Sequence, residues 1–214
     1  MVVIVGGGPI GVETAATLSS VTDVNNIMLV TANDRLLSDF PPRASRIAER
    51  VLQRKVDLRT GVRVTEVTAN SVLLDGEDTE QTNLTIWAGG VRLNPIIKSF
   101  DLERTDHGLR VDSHLRCSDS DDVYAAGDVV DYPGKIKDGY AAGLEARTTA
   151  KNICRELQEQ SLKQHDMRLH PRVVYLGGDT ALVTLSGVVH QGRGPKLFRD
   201  LAIKGYPFYW RHMY

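Results

Sequence analysis

Gly6-Gly7-Gly8-Pro9-Ile10-Gly11 is the first stretch of this chain whose residue types and spacing suit a chemical task. It fits G-x-G-x-x-G and stands between an apolar run, Met1 to Val5, and a helix-like stretch, Val12 to Ser20. In that strand–turn–helix setting each glycine has a separate reason to be glycine. The first permits a tight turn, the second lets backbone approach a pyrophosphate, and the third lets the helix pack close to the strand. Free N–H groups at the helix start, with the positive end of its dipole, would hold the phosphates. The plain alternative is a glycine-rich turn with no ligand, and the agreement of strand, spacing and helix counts against it.

A dinucleotide also needs its adenosine ribose held, normally by an acidic residue about 20 positions on, at the end of the second strand. Thr31 occupies that position, followed by Ala32-Asn33-Asp34-Arg35. Thr31 brings a hydroxyl but no charge to repel a 2′-phosphate, and Arg35 would attract one. NADH and NADPH therefore both stay open, and Asp34-Arg35 serve equally well as a solvated turn. Glu13 falls in the first turn of the glycine helix, where complementing the dipole is its simplest role. Beside a nicotinamide it would instead accept a hydrogen bond from the carboxamide.

The elements that must position these residues follow from pattern. Asn26 to Thr31 reads as a second strand, closing a strand–helix–strand unit through the polar turn Val21 to Asn25. Pro41-Pro42 opens a helix with Ala44, Ile47, Ala48, Val51 and Leu52 on one face. Val56–Leu58, Val62–Val67 and Val72–Leu74 read as short strands, Asp75–Asn83 as a hairpin tip, and Leu84–Ala88 as a buried strand ending in Gly89-Gly90. Beyond Val91 the pattern predicts a short helix at Pro95–Phe100, a strand at His107–Val111 and an apolar strand at Asp122–Ala126. That last strand runs into Gly127-Asp128, ahead of a long helix at Lys137–Gln160. Val173–Leu176 and Ala181–Val189 are strands of a β-rich tail. GRGPK near Gly192 could cup an anion, and its simpler reading is a loop.

The bulk composition excludes several classes. With 214 residues, 42% hydrophobic, 25% charged and formal net charge −1, the chain has no electrostatic footprint for nucleic acid. No charged n-region precedes an apolar h-region, so no signal peptide is visible. No uncharged apolar run approaches the roughly 18 to 20 residues of a membrane span. Cys117 and Cys154 lack C-x-x-C spacing and read as free thiols of a reducing compartment. The expected setting is intracellular, cytoplasmic or peripheral to a membrane. His107, His114, His165, His170 and His190 show no i, i+4 pair, so no metal is inferred. No G-x-S-x-G appears, and no protein nucleophile is expected.

TIWAGGVRLNP (Thr85–Pro95) and LRVDSHLRCSDSDDVYAAGDVVDY (Leu109–Tyr132) carry a resemblance. The order GGGPIGVE, WAGG, VYAAGD, GYAAGLEARTTAKNI resembles the two-dinucleotide-domain flavoprotein reductases of the pyridine nucleotide oxidoreductase superfamily. Within it the look is that of type II NADH dehydrogenases and the apoptosis-inducing-factor-like, ferroptosis-suppressor-like proteins. The resemblance runs from Met1 to about Ile153 and more loosely through the tail. It implies an α/β chain with a three-layer, Rossmann-like nicotinamide-nucleotide domain at 1–88. The C-terminal part of an FAD-binding domain would follow at 89–160, then a β-rich tail at 161–214 with an aromatic, basic end. The superfamily's other glycine motif, which binds the FAD adenosine diphosphate, precedes this point, so the chain resembles a flavoprotein whose N-terminal FAD half is missing.

Carried onto this chain, the resemblance places Gly6, Gly7, Gly8, Pro9, Ile10 and Gly11 at the NAD(P)H pyrophosphate. Glu13 would lie near the nicotinamide, Thr31 at the adenosine ribose, and Ala88, Gly89 and Gly90 along the nicotinamide path. Gly127 and Asp128 would bind the flavin ribitol, and Lys137 would approach the flavin's pyrimidine end, stabilising an anionic reduced flavin with the help of a helix N-terminus. Asp128 as a turn cap and Lys137 as a surface lysine are the plain alternatives. The implied function is hydride transfer from NAD(P)H to FAD and electron delivery to a quinone-like acceptor, with Glu13 and Lys137 tuning the cofactors. The rivals are a non-catalytic NAD(P)H-binding module without flavin, and a ferredoxin-, rubredoxin- or disulfide-linked reductase. The tail VVYLGGDTALVTLSG does not look like the interface domain of disulfide reductases. Residues 198–214, with Phe198, Tyr206, Phe208, Tyr209 and Trp210 among basic residues, are a candidate membrane contact. Gly205 and Pro207 are expected to interrupt any long amphipathic helix there. An apolar flavin-facing surface would favour self-association.

Overall fold

β1 (Val2–Val5) and β2 (Ile27–Thr31) are runs of aliphatic residues, buried on both sides apart from a partly exposed Val2, as parallel strands of a covered sheet are. Both belong to the computed structural model of this chain. It describes residues 1–214 except 22, 23, 25, 167–170 and 212–214, and leaves undescribed the side chains of 21 and 206–211. The chain divides into two compact units, Met1–Gly90 with Pro171–Tyr214, and Val91–His170.

In the first unit β1 leads through the glycine turn into α1 (Pro9–Val21), then β2, α2 (Pro42–Leu52) and β3 (Asp57–Thr60). A three-stranded antiparallel meander follows, β4 (Val64–Val67), β5 (Ser71–Leu74) and β6 (Asp78–Gln81), before β7 (Leu84–Trp87) returns to the sheet. The parallel sheet has the order β3-β2-β1-β7, with Val3 opposite Met28 and Val5 opposite Val30. The period of two sorts its side chains into two cores. Ile4, Ile27 and Leu29 join Val12, Ala15 and Ala16 of α1 and Ala44, Ala48 and Leu52 of α2. Val3, Val5, Met28 and Val30 face Val72 and Leu74 of the meander. Helices, sheet and meander make the three layers expected. Two local expectations change. The stretch 75–83 holds strand β6 rather than a long tip, because Asp75 and Gly76 both take positive φ and close a tight hairpin. β7 is not buried: Leu84 and Trp87 are 53% and 63% exposed, since β7 is the sheet's edge and pairs with β1 alone.

The second unit contains a short 3₁₀ helix (Pro95–Ser99), the brief parallel pair β8 (Leu109–Arg110) and β9 (Val130–Asp131), and α3 (Gly139–Leu157). Asp138 caps α3 by accepting from Ala141 N at 2.8 Å. The stretch Asp122–Ala126 is not a strand. It makes an isolated bridge, Tyr124 with Arg116, and is bonded to residues 115–117 on one side, so no continuous ladder forms.

The chain then returns to the first unit as the antiparallel sheet β10 (Arg172–Tyr175), β11 (Ala181–Leu185) and β12 (Val188–Gly192), followed by α4 (Arg193–Arg211). Val174, Leu176, Leu182 and Val189 enter the same core as α1 and α2. The tail is therefore part of the nucleotide-type unit and ends in a 19-residue helix. GRGPK is the junction of β12 with the first turn of α4, not a loop, and α4 continues through Gly205 and Pro207 rather than stopping there. Among the described residues no helix is long and apolar enough to cross a membrane.

Candidate functional site

The glycine turn lies at the C-terminal end of β1, between the ends of β2 and β7. Gly6 has φ +124°, and a Cβ there would meet the Ala88 carbonyl oxygen at 2.2 Å. A Cβ on Gly11 would sit 1.9 Å from the Gly6 oxygen. These two glycines are required by backbone crowding alone. Gly8 differs: a Cβ there would meet nothing within 4 Å. Its glycine identity has no explanation inside the protein and matches the need of a ligand that must approach the backbone. Val12 N donates to Gly8 O at 3.0 Å, and no acceptor takes the Ile10 or Gly11 N–H among the described residues. Pro9, the first residue of α1, has no N–H to lose. A helix start with open amides above a bare backbone is a cradle for an anionic group. Gly7 packs against Thr31 and its carbonyl accepts from Leu37 N at 2.7 Å.

Three predicted residues make contacts within the protein. Thr31 is 5% exposed and its hydroxyl accepts from Asn33 N at 3.3 Å, so it supports Gly7 from below. The exposed residues at the end of β2 are Ala32, Asn33 and Asp34. Arg35 is not free to meet a 2′-phosphate. Its guanidinium donates to the carbonyls of Leu37 (3.3 Å), Phe40 (3.1 Å) and Ser38 and to the Ser45 hydroxyl, stapling the turn that leads into α2. Glu13 is the fifth residue of α1 and so misses its first turn. Its Oε1 accepts from Tyr175 N at 2.8 Å and lies 3.5 Å from Arg199 Nε, tying α1 to the tail. Oε2 has no partner among the described residues. Ala88 N donates to Val5 O at 2.7 Å, which sets Ala88, Gly89 and Gly90 beside the glycine turn.

In the second unit Gly127 takes φ +87°, a left-handed conformation that favours glycine, and Asp128 beside it is exposed. No hydrogen bond or ion pair engages the Asp128 carboxylate among the described residues. Lys137 Nζ donates to His107 O at 2.6 Å. Lys137 lines a cleft of about 690 Å³ with Arg92, Lys98 and Arg104, and none of these four cations has an ion-pair partner among the described residues. Asp106 is the carboxylate in the same lining.

Sequence reasoning missed the group that holds the Gly127 turn. Glu145 of α3 is fully buried. Its Oε2 accepts from Gly127 N at 2.7 Å, and its Oε1 accepts from Tyr132 Oη at 2.6 Å and from Lys135 Nζ. Burial, then the bond to Glu145, pushes the Tyr132 hydroxyl well above the ordinary tyrosine range. His165 faces the Tyr132 ring edge-on, and burial, aided by Lys135 and opposed by Glu145, holds it below the usual histidine value. A signal existed. The buried face of α3 is Ala141, Glu145 and Asn152, a helical spacing in which a carboxylate stands among small and neutral residues. Both cysteines are free, and burial raises the Cys117 thiol.

The parallel sheet, the glycine turn at its switch point and the open amides define an α/β dinucleotide-binding protein. The chain belongs to the pyridine nucleotide-disulphide oxidoreductase family, which matches residues 1–150. It is 34% identical over 148 residues to the mitochondrial external alternative NAD(P)H-ubiquinone oxidoreductase B4 of Arabidopsis thaliana, covering 59% of this chain and 25% of that protein. It is 28% identical over 200 residues to human ferroptosis suppressor protein 1, covering 87% and 53%. Among solved structures, an FAD-dependent pyridine nucleotide-disulphide oxidoreductase from Desulfovibrio vulgaris superposes with TM-score 0.67 at 25% identity, over 85% of this chain and 48% of that one. NDH2 from Plasmodium falciparum, solved with NADH, shares the fold with TM-score 0.74 at 16% identity, over 94% and 61%. The chain thus spans between a quarter and about half of the length of these two curated relatives.

Proposed function

We propose that this chain carries the nicotinamide-nucleotide site and part of the flavin site of an NAD(P)H-dependent oxidoreductase that delivers electrons to a quinone-like acceptor. The observation that carries the reading is Gly8, a glycine with open space where its Cβ would stand, next to two helix-start amides that no protein acceptor takes. The quinone reductases among the relatives support the acceptor class.

When bound, the nicotinamide supplies a hydride and the flavin accepts it and releases electrons one or two at a time. The residues of this chain orient and stabilise. Gly6, Gly8 and Gly11, with the amides of Ile10 and Gly11, hold the pyrophosphate. Ala88 to Gly90 keep the nicotinamide path free of bulk, and Glu13 Oε2 accepts from the carboxamide. Asp128 accepts from the ribitol hydroxyls. Lys137 places positive charge near the flavin's pyrimidine end, where an anionic reduced ring needs it. The reading includes an intracellular, membrane-peripheral setting, supported by Leu197, Phe198, Leu201 and Ile203, which α4 leaves exposed near Arg193 and Lys204.

The test is a visible spectrum of the purified chain, before and after incubation with excess FAD. The expected result is a flavin band that NADH or NADPH bleaches and a quinone restores. Nucleotide binding with no flavin band would make the chain a nicotinamide-binding module. Bleaching reversed by a ferredoxin or a disulfide but not by a quinone would move the acceptor to those classes.

A further inference from the structure

We infer that Glu145 is the positioning residue of the Gly127–Asp128 turn, setting the carboxylate of Asp128 through the Gly127 amide. The inference rests on the flavin reading for what Asp128 does, and on geometry for what Glu145 does.

The segment from Gly127 to Lys135 is held by a single carboxylate at three places. Gly127 N–H gives its hydrogen bond to Oε2, while Tyr132 Oη and Lys135 Nζ both give theirs to Oε1. Glu145 is fully buried and the Lys135 side chain is 3% exposed, so the pair is closed to water. Buried ion pairs gain little net stability over an apolar replacement, because removing both charges from water offsets their attraction. What such a pair does well is choose one geometry, since each partner left alone is a buried unmatched charge. Here the chosen geometry belongs to a turn whose first residue is left-handed and whose next residue is an exposed carboxylate with no partner among the described residues. Local chain preferences set that turn weakly: β9 is two residues long, and the stretch before Gly127 is not a strand. The anchor comes from α3, a long helix with a side-chain cap. Asn152 repeats the pattern two turns on, bonding Lys163 N and O and His114 O. Glu145 thus transmits the rigidity of a helix to the residue that faces the ligand.

The test uses the full chain in five forms: wild type, Glu145→Gln, Glu145→Gln with Lys135→Met, Asp128→Ala, and Glu145→Gln with Asp128→Ala. Hydrogen exchange is followed on the peptide covering 126–135, and FAD affinity by fluorescence. The paired Lys135→Met change removes both charges, so a fold lost to an unpaired lysine is told apart from a turn lost to the missing carboxylate. Glu145→Gln is expected to speed exchange at 126–135 and to weaken FAD by about tenfold, the scale of one hydrogen bond to a charged group. With Asp128→Ala already present, it should add little further loss of FAD. Exchange at 126–135 unchanged both in Glu145→Gln and in Glu145→Gln with Lys135→Met would overturn the inference whatever FAD does. Fully additive losses of FAD affinity would overturn the route through Asp128. A wild-type chain that binds no FAD would overturn the flavin reading, and the exchange arm would still decide the clamp.

Discussion

The two turns that face the expected ligands are built by opposite means. The Gly6–Gly11 turn is shaped by backbone against backbone: Gly6 against Ala88 O, Gly11 against Gly6 O, with no charged side chain involved. It rests on a core of 17 buried apolar residues. The Gly127–Asp128 turn has beneath it a cluster of four, Leu109, Cys117, Ala125 and Val130, and takes its shape from a buried carboxylate, an ammonium and a phenol. A large core lets van der Waals crowding alone specify a turn. Where little apolar surface is buried, directional polar bonds must do it, and each carries a high cost if its partner is removed. The comparison implies that the first turn tolerates pH and salt but no methyl group added at Gly6 or Gly11, whereas the second does not tolerate the loss of a charge.

The sharpest break should come from Lys135→Met. It strands Glu145 in the interior and is expected to cost about 3 kcal/mol of unfolding free energy, the lower end for one partner of a buried pair. Urea denaturation measures this, and adding Glu145→Leu should recover part of it, because Gly127 N and Tyr132 Oη still lose their acceptor. If the single and double changes are equally destabilising, the second turn does not depend on charge balance. In the first turn, Gly11→Ala is expected to cost about 2 kcal/mol through overpacking against Gly6 O. Gly8→Ala should leave the melting temperature unchanged while weakening NAD(P)H at least as much as Gly11→Ala does, as calorimetric titration would show. A Gly8→Ala chain that binds NADH normally would remove the reason for glycine there.

Arg35→Ala bears on the same unit and should be milder. Losing a staple of neutral carbonyl and hydroxyl acceptors should cost about 1 kcal/mol. The ratio of NADPH to NADH affinity should hold, and a selective loss of NADPH would restore Arg35 as a phosphate ligand. The smallest effect concerns pH. Burial depresses His165 in the folded state, so its contribution is fully present above the unfolded value of about 6.5 and declines as pH falls through the lower folded value. The melting temperature is expected to sag on the acid side of 6.5, and less so in His165→Gln. A sag of equal depth in both would assign it to other groups.

How much was legible follows from the same contrast. β1, α1, β2, α2 and α3 carry their signals within a few residues: aliphatic runs, a glycine turn, Pro41-Pro42, and an alanine-rich stretch behind Asp138. The glycine turn is a local object, and Gly6 and Gly11, the two glycines its backbone crowding requires, are readable as such. Asp122–Ala126 misled because an apolar five-residue run looks like a strand whether or not a partner lies along it. β7 misled for a related reason, since LTIW is as apolar as a central strand though it stands at the edge. The helix through Gly205 and Pro207 went against local propensity.

By itself, then, the amino-acid order determined the glycine turn, the aliphatic runs of β1 and β2, and the family resemblance from Met1 to about Ile153. These depend on neighbours close in the chain and on backbone geometry that only particular residue types permit. The tertiary structure decided that Thr31 lies beneath the turn, that Arg35 is consumed by carbonyls, that Glu13 ties down the tail, and that Glu145 and Lys135 meet. Each of the last two joins residues ten or more positions apart, and Glu13 with Tyr175 joins residues 162 apart. No local pattern records such a pairing, because the partners meet only when packing brings distant segments of the chain side by side.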